Sequence, residues 1–391
     1  MMSKTYKRIY YLNLLIIIII AFNLRAPITA LGPMAEMIKR YFDISYTSIG
    51  IINSLPLFTF GFLSFFIGYF SPLRAMLGGI CLIAIGELVR SYTGVNGLFL
   101  GTFILGCGIA IANVLVPSLI KQKFPDNVTK MMGIYGMMLG ISSMAGIALS
   151  LPLAYAFGVK YALFFWGIFA VLALLAYYPQ IKNKRFFRKK KKHFNKIYLL
   201  KNKTAWKITL FMGTQSFLAY SLFAWLALII KSKGFSIEAS TNLILLAQII
   251  GLPAAFLAPL LLGKIKESLK LFYILSLCFL YVLSFLVIVL SINKYGIIFG
   301  VCLMSIPWGG AFTIALYFIA YKSKNHFVAA KLSSFAQGFG YLLASTSSII
   351  IGYLYDYFQN FYEILIFFIF VSICLCLFGY LAYKSEVIKT N

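Results

Sequence analysis

An arginine lies inside the first long apolar run of the chain, residues 9–31, where a charged side chain is costly. An arginine at the centre of a transmembrane helix costs about 2.5–3.5 kcal/mol on insertion scales, so such residues are usually functional. This residue, Arg25, shares one helical face with Thr29 and Gly32, and Pro27 is expected to distort the helix beside them. Its planar guanidinium is a fork suited to a small anion or a polar group. The alternative is a structural arginine bonded to backbone carbonyls or to another helix.

A second pair of charges lies inside another apolar run, residues 75–94. Glu87 is the only carboxylate well inside such a run, and Arg90 follows it by three residues on the same helical face. Intramembrane carboxylates often carry protons, which would make Glu87 a coupling group. The spacing to Arg90 favours the alternative, a structural ion pair. Few acids then remain in the apolar runs to neutralise Arg25, which favours contact between Arg25 and a substrate.

Further polar and aromatic side chains interrupt the apolar runs at positions where a solute could bind. For each buried amide taken alone, the alternative is a hydrogen bond between helices, worth about 0.6 kcal/mol. Trp308, Gly309 and Thr313 place aromatic surface beside a thin strip of backbone, which could admit a flat ligand. We predict that the substrate site draws on Arg25, Thr29, Asn53, Asn113, Gln215, Gln248, Trp308, Thr313, Gln337 and Tyr341.

The elements that must position these residues are membrane helices. Only 11% of the 391 residues are charged and 62% are hydrophobic, with a mean hydropathy of +0.92, whereas soluble domains carry about 25% charged residues. A helix needs about 20 apolar residues to cross a hydrocarbon core of about 30 Å. We predict an all-α integral membrane protein with twelve spans at residues 9–31, 46–70, 75–94, 97–120, 129–156, 160–180, 206–230, 238–262, 270–291, 295–320, 327–353 and 362–383.

The net charge of +26 is distributed unevenly over the loops, because Lys and Arg fall mostly in every second loop. The loops of the other set carry only Lys39, Arg40, Lys160, Lys231, Lys233 and Lys294. This asymmetry is the positive-inside bias of cytoplasmic loops. It predicts a multi-pass protein of a bacterial inner membrane with both termini in the cytoplasm, and it argues against a nucleic-acid partner.

A basic insertion, residues 181–205, divides the chain near its middle. We expect it to be a cytoplasmic linker between two pseudo-symmetric six-helix halves, residues 1–180 and 206–391. The two halves show weak internal sequence similarity. Leu55-Pro56 corresponds to Leu252-Pro253, and the pair Lys121 and Lys130 corresponds to the pair Lys322 and Lys331. Repeats of this parallel kind underlie one large class of secondary transporters.

Other chemistry finds little support in the sequence. All six cysteines lie in apolar spans, and His193 and His326 have no Cys or carboxylate at ligand spacing, so we expect no metal site. The sequence has no Walker A motif, dinucleotide fingerprint or Ser/His/Asp constellation in a plausible loop. We therefore expect neither a cofactor nor an enzymatic activity.

Several short stretches resemble the cyanate and 2-nitroimidazole transporter family of the major facilitator superfamily over nearly the whole chain. In chain order they are Asn23-Leu24-Arg25-Ala26-Pro27 through Gly32-Pro33, Leu55-Pro56-Leu57, Gly101-Thr102 with Gly106, Gly108, Asn113 and Pro117, Phe124-Pro125, Gly133-Ile134-Tyr135 with Gly140, Phe211-Met212-Gly213-Thr214-Gln215-Ser216, Ala224-Trp225-Leu226, Gly309-Gly310-Ala311-Phe312 and Ala336-Gln337-Gly338-Phe339-Gly340-Tyr341. The loop after the second span departs from the superfamily pattern, because Gly68-Tyr69-Phe70-Ser71-Pro72-Leu73-Arg74 contains no acidic residue.

The resemblance implies a secondary active or facilitative transporter working by alternating access, with the two halves rocking around a midplane site that includes Arg25. It implies a small planar solute, either an anion like cyanate or a neutral aromatic like a nitroimidazole, and import and export both fit. A broad-specificity drug or amino-acid carrier of the same fold and a non-transporting membrane sensor are the alternatives. The partners we expect are the small-molecule substrate and membrane lipid, with no obligate protein partner.

Overall fold

The computed structural model describes residues 4–64, 66, 72–124, 128–179, 197–324 and 326–388. Within these ranges the regular structure is helical, apart from an isolated parallel bridge between Ser323 and Ile388. The helices are α1 (Lys4–Asn23), α2 (Ala26–Thr29), α3 (Leu31–Phe42), α4 (Tyr46–Ser64), α5 (Pro72–Tyr92), α6 (Gly94–Lys123), α7 (Val128–Phe157), α8 (Val159–Tyr177), α9 (Ile197–Leu200), α10 (Lys203–Ser232), α11 (Ile237–Lys264), α12 (Glu267–Leu290), α13 (Lys294–Tyr321), α14 (His326–Phe358) and α15 (Tyr362–Lys384).

The predicted spans coincide with these helices. In the described part of the chain, eleven helical stretches are long and apolar enough to cross a bilayer. α14, with 33 residues, also has the length to do so, although its Ser, Thr, Ser, Ser segment at 345–348 lowers its hydropathy. From the third span onward, the predicted and observed ends agree to within about five residues. The second predicted span continues past Ser64 into residues outside the described ranges.

Two features differ from the sequence prediction or lie beyond the description. The first span was predicted to end at residue 31 with a distortion at Pro27. The structure breaks the helix between α1 and α2, just before Pro27, and extends the helical path through α3 to Phe42. Residues 181–196, most of the predicted linker, lie outside the described residues. At its end, the side chain of Asn202 accepts a hydrogen bond of 3.0 Å from the Ala205 amide and so caps α10.

The first compact unit comprises residues 1–43 and 62–191, as far as they are described. Apolar side chains of α1, α5, α6, α7 and α8 form its core. α5 and α6 pack closely because a side chain at Gly101 would collide with the Arg90 backbone, and one at Gly108 with the Gly79 carbonyl. Small residues at such seams let transmembrane helices approach each other.

The second unit comprises residues 44–61 and 192–391, so it includes most of α4. α10 is its central helix, because 89% of its most apolar 18-residue segment is buried inside the protein. α4 runs against α14 along a seam of glycines, since side chains at Gly50 and Gly352 would strike the backbones of Ser348 and Tyr46. The sequence assigned α4 to the N-terminal half, and the division into two six-helix halves remains a prediction.

A carboxylate of α14 caps the first turn of α4. The first amides of a helix have no partner within it, and here Asp356 accepts hydrogen bonds from the amides of Tyr46 at 3.2 Å and Thr47 at 2.7 Å. Asp356 also accepts from the Thr47 hydroxyl at 2.6 Å. The next amide, that of Ser48, donates to the Ser45 hydroxyl at 3.1 Å. The start of α4 is thus satisfied largely by another helix.

Candidate functional site

The first membrane helix is interrupted at Leu24 and Arg25. Pro27 has no amide hydrogen, so it cannot make the helical bond to the carbonyl of Asn23. Arg25 lies between the two helical segments, with φ −127° and ψ −47°, and α2 restarts at Ala26. The carbonyl of Arg25 accepts from the amides of Ile28 and Thr29, both at 3.0 Å. Arg25 therefore occupies a break in the helix, and its side chain is half-buried.

Residues of α7 satisfy backbone groups that this break leaves without helical partners. The hydroxyl of Ser142 donates to the Phe22 carbonyl and accepts from the Ala26 amide at 2.9 Å, so it inserts into a helical hydrogen bond. The hydroxyl of Thr29 donates to the carbonyls of Ser143 at 3.1 Å and Arg25 at 3.2 Å. Thr29, predicted to contact substrate, is buried in these contacts and positions the break.

Arg25, Tyr135 and Asn113 form the Arg25 cluster of the first unit. The Arg25 charge lies close enough to the Tyr135 phenol to act on it electrostatically. The Tyr135 hydroxyl in turn donates to the Asn113 side-chain oxygen at 3.0 Å. Two predicted site residues are thus brought together through a third that the prediction omitted. The local sequence pattern carries no signal for Tyr135, because its contacts join segments that are distant in the chain.

The second intramembrane arginine is bound by protein groups. Arg90 Nη2 lies 2.6 Å from Glu87 Oε2, and both side chains are fully buried. Arg90 also donates to the carbonyl oxygens of Pro27 at 2.9 Å and Leu163 at 3.2 Å. Within the described residues, Glu87 Oε1 and Arg90 Nε have no hydrogen-bond partner. The pair ties α5 to α2 and α8, and so holds the helical segment that follows Arg25.

The predicted polar residues of the second unit bond mainly within their own helices. The amide of Asn53 donates to the Ile49 carbonyl at 3.0 Å, that of Gln215 to the Ser216 hydroxyl at 2.6 Å, and that of Gln337 to the Ser333 hydroxyl at 2.8 Å. Thr313 donates to the Gly310 carbonyl at 2.8 Å, and Gln248 is half-buried on α11. These contacts do not join the predicted polar residues into one cluster.

Five aromatic side chains of the second unit form a continuous row, here called the aromatic row. The ring centroids of Trp308 and Phe223 are 4.8 Å apart, and Phe223 and Tyr341 each lie 6.1 Å from Tyr220. Phe60 extends the row with a centroid 4.4 Å from that of Tyr341. Trp308 and Tyr341 were predicted site residues, whereas the other three were not.

The backbone strip predicted beside Trp308 is occupied. A side chain at Gly309 would collide with the carbonyl of Gly251, because α11 packs directly against α13 at this point. The glycine therefore serves helix packing, and its backbone is not open to a flat ligand.

Comparison with known proteins identifies the family. The sequence profile of the Major Facilitator Superfamily matches residues 14–330. The chain belongs to the Major Facilitator Superfamily. This confirms the predicted fold class, an all-α membrane protein with the major facilitator fold.

Relatives and solved structures agree with this assignment. The major facilitator chain is 35% identical to the uncharacterized transporter YycB of Bacillus subtilis, over 87% of this chain and 85% of the relative. It is 28% identical to the 2-nitroimidazole transporter of Escherichia coli, over 95% of both chains, and 25% identical to the cyanate transport protein CynX of the same organism, over 85% of this chain and 86% of CynX. These two relatives confirm the resemblance found in the sequence.

The fold is also that of solved major facilitator structures. A bacterial homolog of the human lysosomal transporter Spinster, inward-facing and unoccupied, matches with a TM-score of 0.77 at 14% identity, covering 98% of both chains. The D-xylose-proton symporter matches with a TM-score of 0.74 at 13% identity, covering 95% of this chain and 96% of the symporter. At such identities the likeness concerns the fold.

Proposed function

We propose that this major facilitator protein is a secondary transporter, active or facilitative, that recognises a small planar solute at the Arg25 cluster. The observation that carries the proposal is an arginine at a break in a membrane helix, whose charge acts on Tyr135, which in turn donates a hydrogen bond to Asn113. Transporter sites are typically formed by discontinuous membrane helices. The backbone beside the break is bonded by Ser142, at the Ala26 amide, and by Arg90, at the Pro27 carbonyl.

The polarity of the Arg25 cluster favours a solute that accepts hydrogen bonds. Tyr135 uses its hydroxyl hydrogen on the oxygen of Asn113, so the amide nitrogen of Asn113 keeps its two donors for another partner. Arginine adds planar N–H donors and a positive charge. Donors of this kind suit a small anion or the oxygens of a nitro group.

Two further observations support a planar solute. The second unit carries the aromatic row, and rings of this kind can stack on a flat molecule. The two Escherichia coli relatives are named for cyanate and 2-nitroimidazole, which are both small and flat. We therefore propose a cyanate-like anion or a small planar aromatic as the substrate class, carried by alternating access across a bacterial inner membrane.

The test compares Arg25→Lys and Arg25→Gln in proteoliposomes, with radiolabelled cyanate and 2-nitroimidazole as separate substrates. Loss of a charge-assisted hydrogen bond costs about 1.5–3 kcal/mol, or about 10- to 150-fold in affinity. Lysine keeps the charge but loses the planar fork, so we expect Arg25→Lys to weaken cyanate binding and Arg25→Gln to weaken it further. A neutral nitroimidazole should tolerate Arg25→Gln better than cyanate does.

Arg40→Gln is the matched control, because Arg40 is exposed and pairs with Glu36 on its own helix. It should leave transport unchanged. Normal insertion of Arg25→Gln with unaltered affinity for both solutes would refute the proposed site and favour a broad-specificity carrier. Binding without flux in the wild-type protein would instead favour the membrane sensor.

A further inference from the structure

A groove on the second unit shares no lining residue with the Arg25 cluster or the aromatic row. Its volume is about 450 Å³, and it lies between α11, α12 and α13. Its walls include Ala254, Leu257 and Leu261 of α11, Tyr273 of α12 and Ile306 of α13. The hydroxyl of Tyr273 donates to the Ala258 carbonyl at 3.3 Å, so this polar atom is satisfied within the protein. The groove therefore presents almost entirely hydrocarbon to an occupant.

The groove faces the hydrocarbon of the bilayer. Only 28% of the most apolar 18-residue segment of α11 is buried inside the protein, compared with 89% of the corresponding segment of α10. Leu257 and Leu261 keep 47% and 44% of their surface exposed. The small side chain of Ala254 leaves a recess between such leucines. In a membrane-spanning chain, the molecules that contact such a surface are lipid chains.

The length of the groove matches one leaflet. Its lining on α11 runs from Ile250 to Leu261, and eleven helical steps of 1.5 Å span about 16 Å. Half of a hydrocarbon core of about 30 Å is about 15 Å. A single acyl chain of one leaflet would thus fill the groove from end to end.

Positive charge lies at one end of the groove. Lys264 follows Leu261 by three residues on the same helical face, and Lys266 lies in the connection to α12. Both lysines are exposed, and neither forms an ion pair with any described residue. The neighbouring Lys270 is neutralised by Glu267 at 2.6 Å. Two uncompensated cations therefore lie where the headgroup of a lipid in the groove would be.

We propose that the groove binds one anionic phospholipid, with an acyl chain between α11 and α12 and the phosphate-bearing headgroup against Lys264 and Lys266. Basic residues near a membrane surface attract anionic lipids, and the groove confines this attraction to a single binding site. The proposal rests on the membrane setting of the chain and is independent of the transported solute.

The test is native mass spectrometry of the purified full-length protein in detergent, titrated with dioleoyl phosphatidylglycerol or dioleoyl phosphatidylcholine. The two lipids share their acyl chains and differ in net charge. Wild-type protein should bind the first phosphatidylglycerol more tightly than the first phosphatidylcholine. Each lysine contributes about a factor of five, so Lys264→Gln/Lys266→Gln should lose about 25-fold in phosphatidylglycerol affinity. Its phosphatidylcholine affinity should stay within about twofold.

Two further variants separate the groove from general charge. Ala254→Phe fills the recess and should weaken the first binding event of both lipids by about tenfold or more. Lys201→Gln/Lys203→Gln removes the same charge from exposed residues that do not line the groove and should leave both affinities unchanged. Equal losses in the two lysine pairs, or unchanged lipid binding in both Lys264→Gln/Lys266→Gln and Ala254→Phe, would overturn the proposal. Displacement of phosphatidylglycerol by an uncharged apolar solute at equal concentration would also overturn it, because the headgroup would then add nothing.

Discussion

Replacing Asp356 should loosen the start of α4 without unfolding the protein. Its carboxylate accepts three hydrogen bonds, from the Tyr46 amide and from the amide and hydroxyl of Thr47. Removal of a helix cap costs about 0.5–2 kcal/mol, and loss of a negative charge at a helix N-terminus costs about 0.3–1 kcal/mol more. The total of about 1–3 kcal/mol corresponds to a 5- to 150-fold change in a local opening equilibrium. Asp356→Asn keeps one acceptor oxygen but replaces the other with an NH2 donor, so it loses the charge and at least one of the three hydrogen bonds. Its effect should lie between wild type and Asp356→Ala.

Hydrogen–deuterium exchange of the protein in nanodiscs measures this equilibrium. Peptides covering residues 44–50 should exchange faster in Asp356→Ala, less so in Asp356→Asn, whereas peptides from α10 should be unchanged. Asp43→Asn is the matched control, because Asp43 is exposed and asparagine tolerates its left-handed backbone, with φ 50°. If the amides of residues 44–50 exchanged in Asp356→Ala at the wild-type rate, the capping argument would be wrong.

Three other predictions concern the ion pair, the helix break and the topology. Glu87→Gln leaves Arg90 buried without its counter-ion and should cost about 3–5 kcal/mol of stability, measured as a lower Tm. Uptake driven by a pH gradient, per folded molecule, should persist. Loss of this uptake at normal stability would instead make Glu87 a proton carrier. Ser142→Ala removes both hydrogen bonds that bridge the break and should lower the Tm by the equivalent of about 1–3 kcal/mol, whereas an unchanged Tm would mean that the bridge contributes nothing. In a cysteine-free background, Lys294→Cys should react with an impermeant maleimide from the periplasm and Lys201→Cys only after the inner membrane is opened, and the reverse pattern would contradict the positive-inside assignment.

The membrane helices were readable from the sequence because the bilayer fixes their length. The ends of α12, for example, are Glu267 and Leu290, against a predicted span of 270–291. The ion pair between Glu87 and Arg90 was likewise accessible, since a three-residue spacing places both on one helical face. Features of this kind depend on local periodicity, which a single sequence records directly.

Contacts between distant segments were not readable in this way. Nothing in the local pattern shows that Ser142 enters the hydrogen bonds of the first helix, or that Tyr135 connects Arg25 with Asn113. The packing of α4 against α14 depends on glycines whose partners lie about 300 residues away. Periodicity identifies the buried face of a helix, but the helix that it meets is decided by packing in three dimensions.

The repair of the first helix also orders the events of membrane insertion. The Ala26 amide finds its acceptor 116 residues downstream, at Ser142, and the Pro27 carbonyl finds its donor 63 residues downstream, at Arg90. Chains emerge from the ribosome N-terminus first, so α1 enters the bilayer well before α5 and α7 exist. Until then, polar backbone groups at the break face hydrocarbon or water, and each unsatisfied group in hydrocarbon costs several kcal/mol. The segment of the first unit that is synthesised first therefore reaches its final bonding only after α7 has been made.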